Sequence, residues 1–451
     1  MRRSIAILGA GFSGTLTAIH LLQDPNGANQ TNIYLIDPRG TFGRGLAYSP
    51  PSERFKLNVR AKSMGAFPDD PEEFFRWLKA REPNASPEDF APRVTYGTYL
   101  AELLEKAALS SGSATLVRIA DEATEVTFSP STSKFTITLQ NAPALEADAC
   151  ILAVGNLMQT SLGGSGGTEI FRQPFRTESY DDIAHCGRLL IVGSSLTAVD
   201  VIIEAEGRGF TGHYTVVSRN GRLPLVHETL SPQPVVSLPD EWETVGSSRT
   251  LLKLIRAESR RIGSSQPVFD AIRPKIQTMW INLPAHEKRR FLRHIRPFWD
   301  IHRHRIPAEH SGKLRALRHA GKLSLLAGRI ATLTASSSTV SATITPRGAQ
   351  KTPISLDVDA AFMCAGTEGD LSKSRNRLIR SLLSNGLLSA GPLKLGSVQP
   401  ATNPHDSLPP LWVIGPLQRE ERWEITAVRE LREEALSVAR GVHARLSQKS
   451  A

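Results

Sequence analysis

Gly9-Ala10-Gly11-Phe12-Ser13-Gly14 spaces three glycines as in a turn that receives a pyrophosphate. In such a G-x-G-x-x-G turn the first glycine (Gly9) permits the tight bend. The second (Gly11) lets a phosphate approach the backbone, and the third (Gly14) lets a helix pack closely on a strand. The helix N-terminus then stabilises the negative charge. Asp37 lies 23 residues after Gly14, where a carboxylate accepts ribose hydroxyls. A glycine turn alone can be purely structural, but a strand before it, a helix after it and the acid beyond indicate dinucleotide binding. A second, less complete pattern is Gly193-Ser194-Ser195-Leu196-Thr197-Ala198. Here Ser195 stands where the closest-approach glycine belongs, and its hydroxyl can donate to a phosphate instead. Arg219 occupies the place of the ribose-binding acid, with Arg222 nearby. A cation there suits the 2′-phosphate of NADPH. The alternative is a fold unit that binds nothing.

The elements around both patterns have one layout. Ile5–Leu8 is a short apolar run into Gly9, followed by helical spacing over Ser13–Leu22 and a strand, Ile33–Ile36, closing on Asp37. Leu189–Val192 runs into Gly193, followed by a helix to about Glu206 and a strand, Tyr214–Val217, closing on Ser218-Arg219. Strand, glycine turn, helix and strand imply parallel sheets with right-handed crossovers. Each unit then continues through alternating strands separated by small turn residues, and returns through an apolar strand to a glycine. The first return is Ala149–Val154 to Gly155, the second Ala360–Ala365 to Gly366. The expected fold is α/β: two Rossmann-like dinucleotide-binding domains, each with a small antiparallel meander. The first comprises 1–165 and 367–451, and the second 166–366, with a helical insertion over about 240–322. Ser161–Gly167 reads as a flexible crossing point. Leu411–Gly415 reads as the last strand of the first domain, and Ile425–Leu446 as its closing helix.

The 451 residues carry a net charge of +10, concentrated between Arg249 and Arg329, where 19 Lys/Arg face five acids. Such a block can bind nucleic acid, but its helical apolar spacing fits a solvated surface or one that attracts anionic cofactors and substrates. Neither nucleic acid nor a membrane is an expected partner, since no apolar run is long enough to span a bilayer. The basic start, Met1-Arg2-Arg3-Ser4, leads into a glycine turn and reads as a first strand, not a signal peptide. Cys150, Cys186 and Cys364 are three, widely spaced and without a Cys-x-x-Cys, which fits a reducing cytoplasm.

Several segments resemble bacterial FAD/NAD(P)-binding proteins related to the flavin-dependent N-hydroxylating monooxygenases. They are Phe42–Tyr48, Leu57–Val59, Met64–Asp70, Arg93–Leu100, Phe298–Arg305 and Trp423–Val428, and together they span most of the chain. The resemblance implies FAD as cofactor, with Gly9, Gly11, Ser13, Gly14 and Asp37 on its adenosine and pyrophosphate. It implies Arg44, Tyr48, Asn58 and Met64 near the flavin or the entrance to its site. It also implies that Gly415 and a helix start at Glu424–Thr426 lie near the ribityl chain and ring. The chain departs from the pattern in two places: Gly415-Pro416 replaces a Gly-Asp pair, and Gln418–Arg422 lacks a glycine before Trp423-Glu424.

Three electron routes compete. A thiol relay needs paired cysteines, which the chain lacks, and Cys150 and Cys364 fall in apolar strands where cysteine is an inert small hydrophobe. The resemblance implies molecular oxygen instead, with a flavin hydroperoxide passing one oxygen to a nitrogen or sulfur of a small molecule. Direct reduction of a small molecule or partner protein is the second reading, and a non-catalytic dinucleotide sensor the third. No metal site is expected: His302 and His304 lack the i, i+4 spacing and nearby carboxylate of a zinc pair. They read as surface or cleft residues, as do Arg303 and Arg305. Trp299, Asp300 and His227 have no assignable role, and no catalytic residue is identifiable.

Overall fold

The computed structural model describes residues 2–23, 31–157, 171–229, 235–336, 339–348, 352–398 and 409–448. The expected crossing point at 161–167 lies outside them. The chain forms two compact units. One contains residues 1–49, 59–158 and 367–451, and the other residues 50–58 and 159–366.

The first unit opens with strand β1 (Arg3–Leu8), helix α1 (Phe12–Leu22) and β2 (Thr31–Ile36). Helices α2 (Glu73–Arg81) and α3 (Arg93–Ser110) follow, then β3 (Ala114–Ile119). Strands β4 (Ala123–Ser129), β5 (Lys134–Leu139) and β6 (Leu145–Ala147) form a separate antiparallel sheet, and β7 (Ala149–Leu152) returns to the main one. All four residues of β7 and the last four of β1 are buried, so both strands read as continuous apolar runs, as central parallel strands must.

The second unit follows with β8 (Phe171–Arg172), β9 (Arg188–Val192), α4 (Leu196–Gly207) and β10 (His213–Ser218). Its helical insertion contains α5 (Ser248–Ile262), α6 (Gln266–Ile272), α7 (Ile276–Asn282), α8 (Ala285–Arg290), α9 (Arg296–Arg303) and α10 (Ala308–His319). Strands β11 (Leu323–Ala335), β12 (Val340–Pro346), β13 (Ile354–Val358) and β14 (Ala360–Met363) complete one seven-stranded sheet, ordered β13-β12-β11-β10-β9-β14-β8. The meander is not separate here. β11 pairs in parallel with β10 over its first residues and antiparallel with β12 over the rest.

The chain ends in the first unit with α11 (Arg377–Ser384), the short pair β15 (Ser389–Ala390) and β16 (Ser397–Val398), β17 (Leu411–Val413) and α12 (Val428–Gln448). The first parallel sheet is ordered β17-β7-β1-β2-β3. The architecture is the expected one, two Rossmann-like sheets with meanders. The closing helix begins at Val428, three residues later than its apolar spacing suggests, because Glu424 takes a left-handed φ of 69° and holds 424–426 in a turn.

Candidate dinucleotide sites

Register places the two fingerprints in matching geometry. Leu8 pairs with Ile36 and with Leu152, so Gly9 emerges beside Asp37 on one side and Ala153 on the other. Val192 pairs with Val217 and with Met363, so Gly193 emerges beside Ser218-Arg219 and Cys364. Gly9 and Gly193 have φ values of 112° and 115°, and each donates its N–H to the neighbouring strand end at 2.8 Å, Gly9 to Ile36 and Gly193 to Val217. A Cβ on Gly9 would stand 2.3 Å from the Ala153 carbonyl oxygen, and one on Gly193 2.0 Å from that of Cys364. Both positions need glycine for the fold itself.

The two units diverge at the third glycine position of the pattern. A Cβ on Gly14 would lie 1.9 Å from the Gly9 carbonyl oxygen, so α1 rests directly on the turn. Ala198 holds the corresponding place in α4, so that helix accommodates a methyl. Gly11 differs in kind from its neighbours. Its φ of −75° suits any residue, and a Cβ there would meet nothing nearer than the Gly45 Cα at 3.7 Å. Among the described residues, no protein atom demands a glycine at 11. The open cradle over the N-terminus of α1 fits a bound pyrophosphate, which would occupy the space a side chain would fill. Ser195, its counterpart, is exposed at the N-terminus of α4 and makes no capping bond. Ser194 is committed internally: its hydroxyl lies 2.8 Å from that of Ser218 and donates to the Arg222 carbonyl at 2.5 Å.

Asp37 is buried, and its carboxylate accepts the Ala10 N–H at 3.0 Å. Arg39, which sequence reasoning passed over, donates to it from the backbone at 3.0 Å and from the guanidinium at 3.2 Å to each oxygen. Arg39 thus holds the Asp37 carboxylate in a fixed orientation. The Gly43–Tyr48 loop packs on the fingerprint turn. A Cβ on Gly45 would be 2.7 Å from the Gly11 Cα, and the Tyr48 ring stands edge-on to Phe12 at 6.3 Å and to Tyr96 at 4.8 Å. Burial pushes the Tyr48 phenol up to about 12. Arg44 reaches the Thr98 hydroxyl at 3.5 Å. Met64 is packed away from solvent, and the next residue, Gly65, accepts a hydrogen bond from Arg432 of α12 at 3.0 Å.

Gly415, with φ 87°, follows β17, and a Cβ there would stand 3.2 Å from the Ser13 hydroxyl. Gly9, Gly11, Ser13, Gly14, Asp37 and Gly415 thus converge, with the Arg44–Tyr48 loop beside them. Glu424 is buried in the turn before α12, whereas Thr426 is exposed. Asn58 belongs to the other unit, where its carbonyl oxygen lies 3.0 Å from the His227 imidazole. Glu434 was not anticipated. It lies on the buried face of α12, and burial raises its carboxyl to about 7 despite an ion pair with Arg422 at 3.0 Å. An acid at helical spacing among Leu431, Ala435 and Val438 was the signal available for it.

In the second unit, Arg219 sits at the end of β10, where partial desolvation and the nearby Arg296 and Arg329 all disfavour its charge. Beside it is a cavity of about 420 Å³ lined by Asn220, Arg222, Arg293, His294, Phe298 and Arg347, with no carboxylate among the described residues that line it. Arg347 donates to the Asn220 side chain and, at 3.5 Å, to the Arg219 carbonyl; Arg222 lies 4.1 Å over the Phe298 ring. Three sequence-distant segments thus bring cations to one strand end. An assembly of guanidinium groups that outnumbers the nearby carboxylate of Asp300 is suited to a phosphate.

Cys150 and Cys364 are buried, which pushes both thiols up, Cys150 to about 12, and all three cysteines are free. Among the described residues no cluster of His, Cys, Asp or Glu could hold a metal, and no helix is long and apolar enough to cross a membrane.

Residues 6–157 match the model of an FAD-NAD(P)-binding family. No curated protein matches the sequence. Among solved structures, the fold is similar to an ornithine N-hydroxylase from Kutzneria sp. 744, with 13% identity, a TM-score of 0.64 and coverage of 98% of this chain and 99% of that one. It is similar to the ornithine hydroxylase of Pseudomonas aeruginosa, at 13% identity and TM-score 0.64, covering 99% of this chain and 100% of the other. An L-lysine 6-monooxygenase from Pseudomonas syringae aligns over 98% of this chain and 99% of its own, with 14% identity and a TM-score of 0.63.

Proposed function

We propose that this chain, which carries an FAD/NAD(P)-binding domain on the fold shared by N-hydroxylating monooxygenases, is an NADPH-using flavoenzyme. We place its FAD domain at 1–165 and 367–451, apart from residues 50–58, which fold with the nicotinamide domain at 166–366. The reaction is transfer of one oxygen atom from molecular oxygen to a nitrogen or sulfur of a small molecule. The observation that carries the cofactor assignment is the cradle at Gly11, a glycine that no described part of the protein requires. FAD, when bound, supplies the redox chemistry. Gly9, Gly11, Ser13 and Gly14 present backbone to its pyrophosphate, and Asp37 accepts its ribose hydroxyls. Gly415, Glu424 and Thr426 serve the remainder of the cofactor, with Arg44, Tyr48 and Met64 around the ring or its entrance. In the second unit, Gly193 shapes the turn and Ser194 ties it to the 219–222 loop. Ser195 offers a hydroxyl to the NADPH pyrophosphate, and Arg219 reads the 2′-phosphate. Similarity to solved ornithine and lysine oxygenases supports the monooxygenase reading over a reductase.

Stopped-flow mixing of the NADPH-reduced protein with air separates the two. A monooxygenase is expected to return to the oxidised flavin spectrum in two resolved phases, with peroxide released when no substrate is present. A single fast phase would support the reductase, and absence of NADPH oxidation the sensor.

The cysteines give a second check. Hydride must reach flavin, and electrons leave it, without a thiol relay. Replacing Cys150, Cys186 and Cys364 together by alanine is therefore expected to preserve NADPH oxidation, with a stability loss of ~1 kcal/mol at each buried site. A folded, FAD-loaded variant that is reduced by NADPH yet passes no electrons on would show a thiol relay and overturn the mechanism.

A further inference from the structure

The helical insertion contains a second cavity, of about 430 Å³, formed by residues that belong to neither fingerprint. Arg256 and Ser259 of α5 line one side, Phe298, Trp299 and His302 of α9 the other, and Phe269 of α6 packs between them. The residues recur at three- and four-residue spacing, so each helix presents one face to the same space. Phe269 stacks on the His302 imidazole, with centroids 5.2 Å apart and planes at 12°, and lies 5.0 Å from the Trp299 ring. The imidazole cannot turn freely, because its Nδ1 lies 2.9 Å from the Ser265 hydroxyl, which also accepts from Arg305 at 3.5 Å.

Two further features point to an occupant. The Ser259 hydroxyl is buried at this cavity without a hydrogen-bond partner among the described residues, a state that native structures seldom leave unresolved. Arg256 and Arg260 both line the cavity, and among the described residues no carboxylate does. Glu258, between them in sequence, is committed to Arg261 at 2.9 and 2.6 Å and does not neutralise them. Aromatic walls, a single unmet hydroxyl and two guanidinium groups on one helix select an apolar, flat body with an anionic end. The volume lies within the range of small-ligand sites.

We propose that this cavity is a binding site for a small aromatic carboxylate. The ring lies among Phe269, Phe298 and Trp299, the carboxylate pairs with Arg256 and Arg260, and Ser259 donates to the ligand. The site shares Phe298 with the cation-lined cavity beside Arg219 and otherwise uses residues that no dinucleotide assignment claims. The test titrates the full chain, as purified, with 2-naphthoate, read by calorimetry and by tryptophan fluorescence. Wild type is expected to bind. Arg256→Gln/Arg260→Gln, both solvent-facing changes, is expected to weaken 2-naphthoate at least ten-fold while binding of the neutral 2-naphthalenemethanol is unchanged. Ser259→Leu, which fills the cavity, is expected to remove both, with circular dichroism showing a folded chain. No binding by wild type, equal weakening of acid and alcohol in the arginine variant, or full binding by folded Ser259→Leu would each overturn the proposal.

Discussion

Gly11→Val is expected to purify folded and colourless. Three glycines that a sequence pattern treats alike differ in their surroundings. Gly9 and Gly14 face protein atoms at 2.3 and 1.9 Å from a would-be Cβ, and Gly9 adds a left-handed φ. An alanine at either is expected to cost several kcal/mol through overpacking and backbone strain, and to lower yield and melting temperature. Gly11 has ordinary backbone angles and 3.7 Å to its nearest neighbour. A side chain there leaves the protein's own packing almost untouched and fills the place of the pyrophosphate. The loss should exceed a hundred-fold in FAD affinity, with apo-protein stability near that of wild-type apo-protein. Flavin absorbance of the purified variant, with thermal melts of both stripped proteins, measures the two effects. A folded Gly11→Val that retains full FAD would remove this turn from the cofactor site.

Much of that site was legible because its determinants are local in sequence. Gly9, Gly11, Gly14 and Asp37 sit within one strand–helix–strand unit, so spacing alone places them together once the register of β1 and β2 is set. The duplication of layout was legible for the same reason, as apolar runs and glycines repeat even where residue identities do not. What escaped was assembled by long-range packing. Arg347 comes from beyond β12 and Arg293 from the insertion, and nothing in either local sequence points toward Asn220 or Arg222. Arg39 was two residues from Asp37 and still passed over, because the pattern assigns the acid to a ribose and not to an internal partner. The helix start expected at Glu424–Thr426 failed on backbone conformation. Glutamate gives no warning of a left-handed φ, which only the fold's packing can impose.

Those long-range cations make the second large effect specific. Wild type is expected to use NADPH in strong preference to NADH, and the preference should reside in more than Arg219. Loss of one charge-assisted phosphate contact costs ~1.5–3 kcal/mol, or about ten- to a hundred-fold in affinity. Arg219→Ala is expected to lose that factor for NADPH and almost nothing for NADH. Arg222→Gln should behave in the same way, because its guanidinium lines the carboxylate-free cavity beside the strand end. Arg347 also donates to Asn220 and to the Arg219 carbonyl, so Arg347→Gln can act by releasing the loop as well as by losing charge. The double variant with Arg219→Ala distinguishes these. Additive losses mean two separate phosphate contacts, and a loss no larger than that of Arg219→Ala alone means that Arg347 positions Arg219. Binding of 2′,5′-ADP against 5′-AMP gives the same comparison without turnover. Raising the salt should weaken 2′,5′-ADP far more than 5′-AMP, since the difference between them is one phosphate among several cations. Equal use of both nicotinamide cofactors by wild type would remove Arg219 and its neighbours from this role, whatever ligand the cavity then holds.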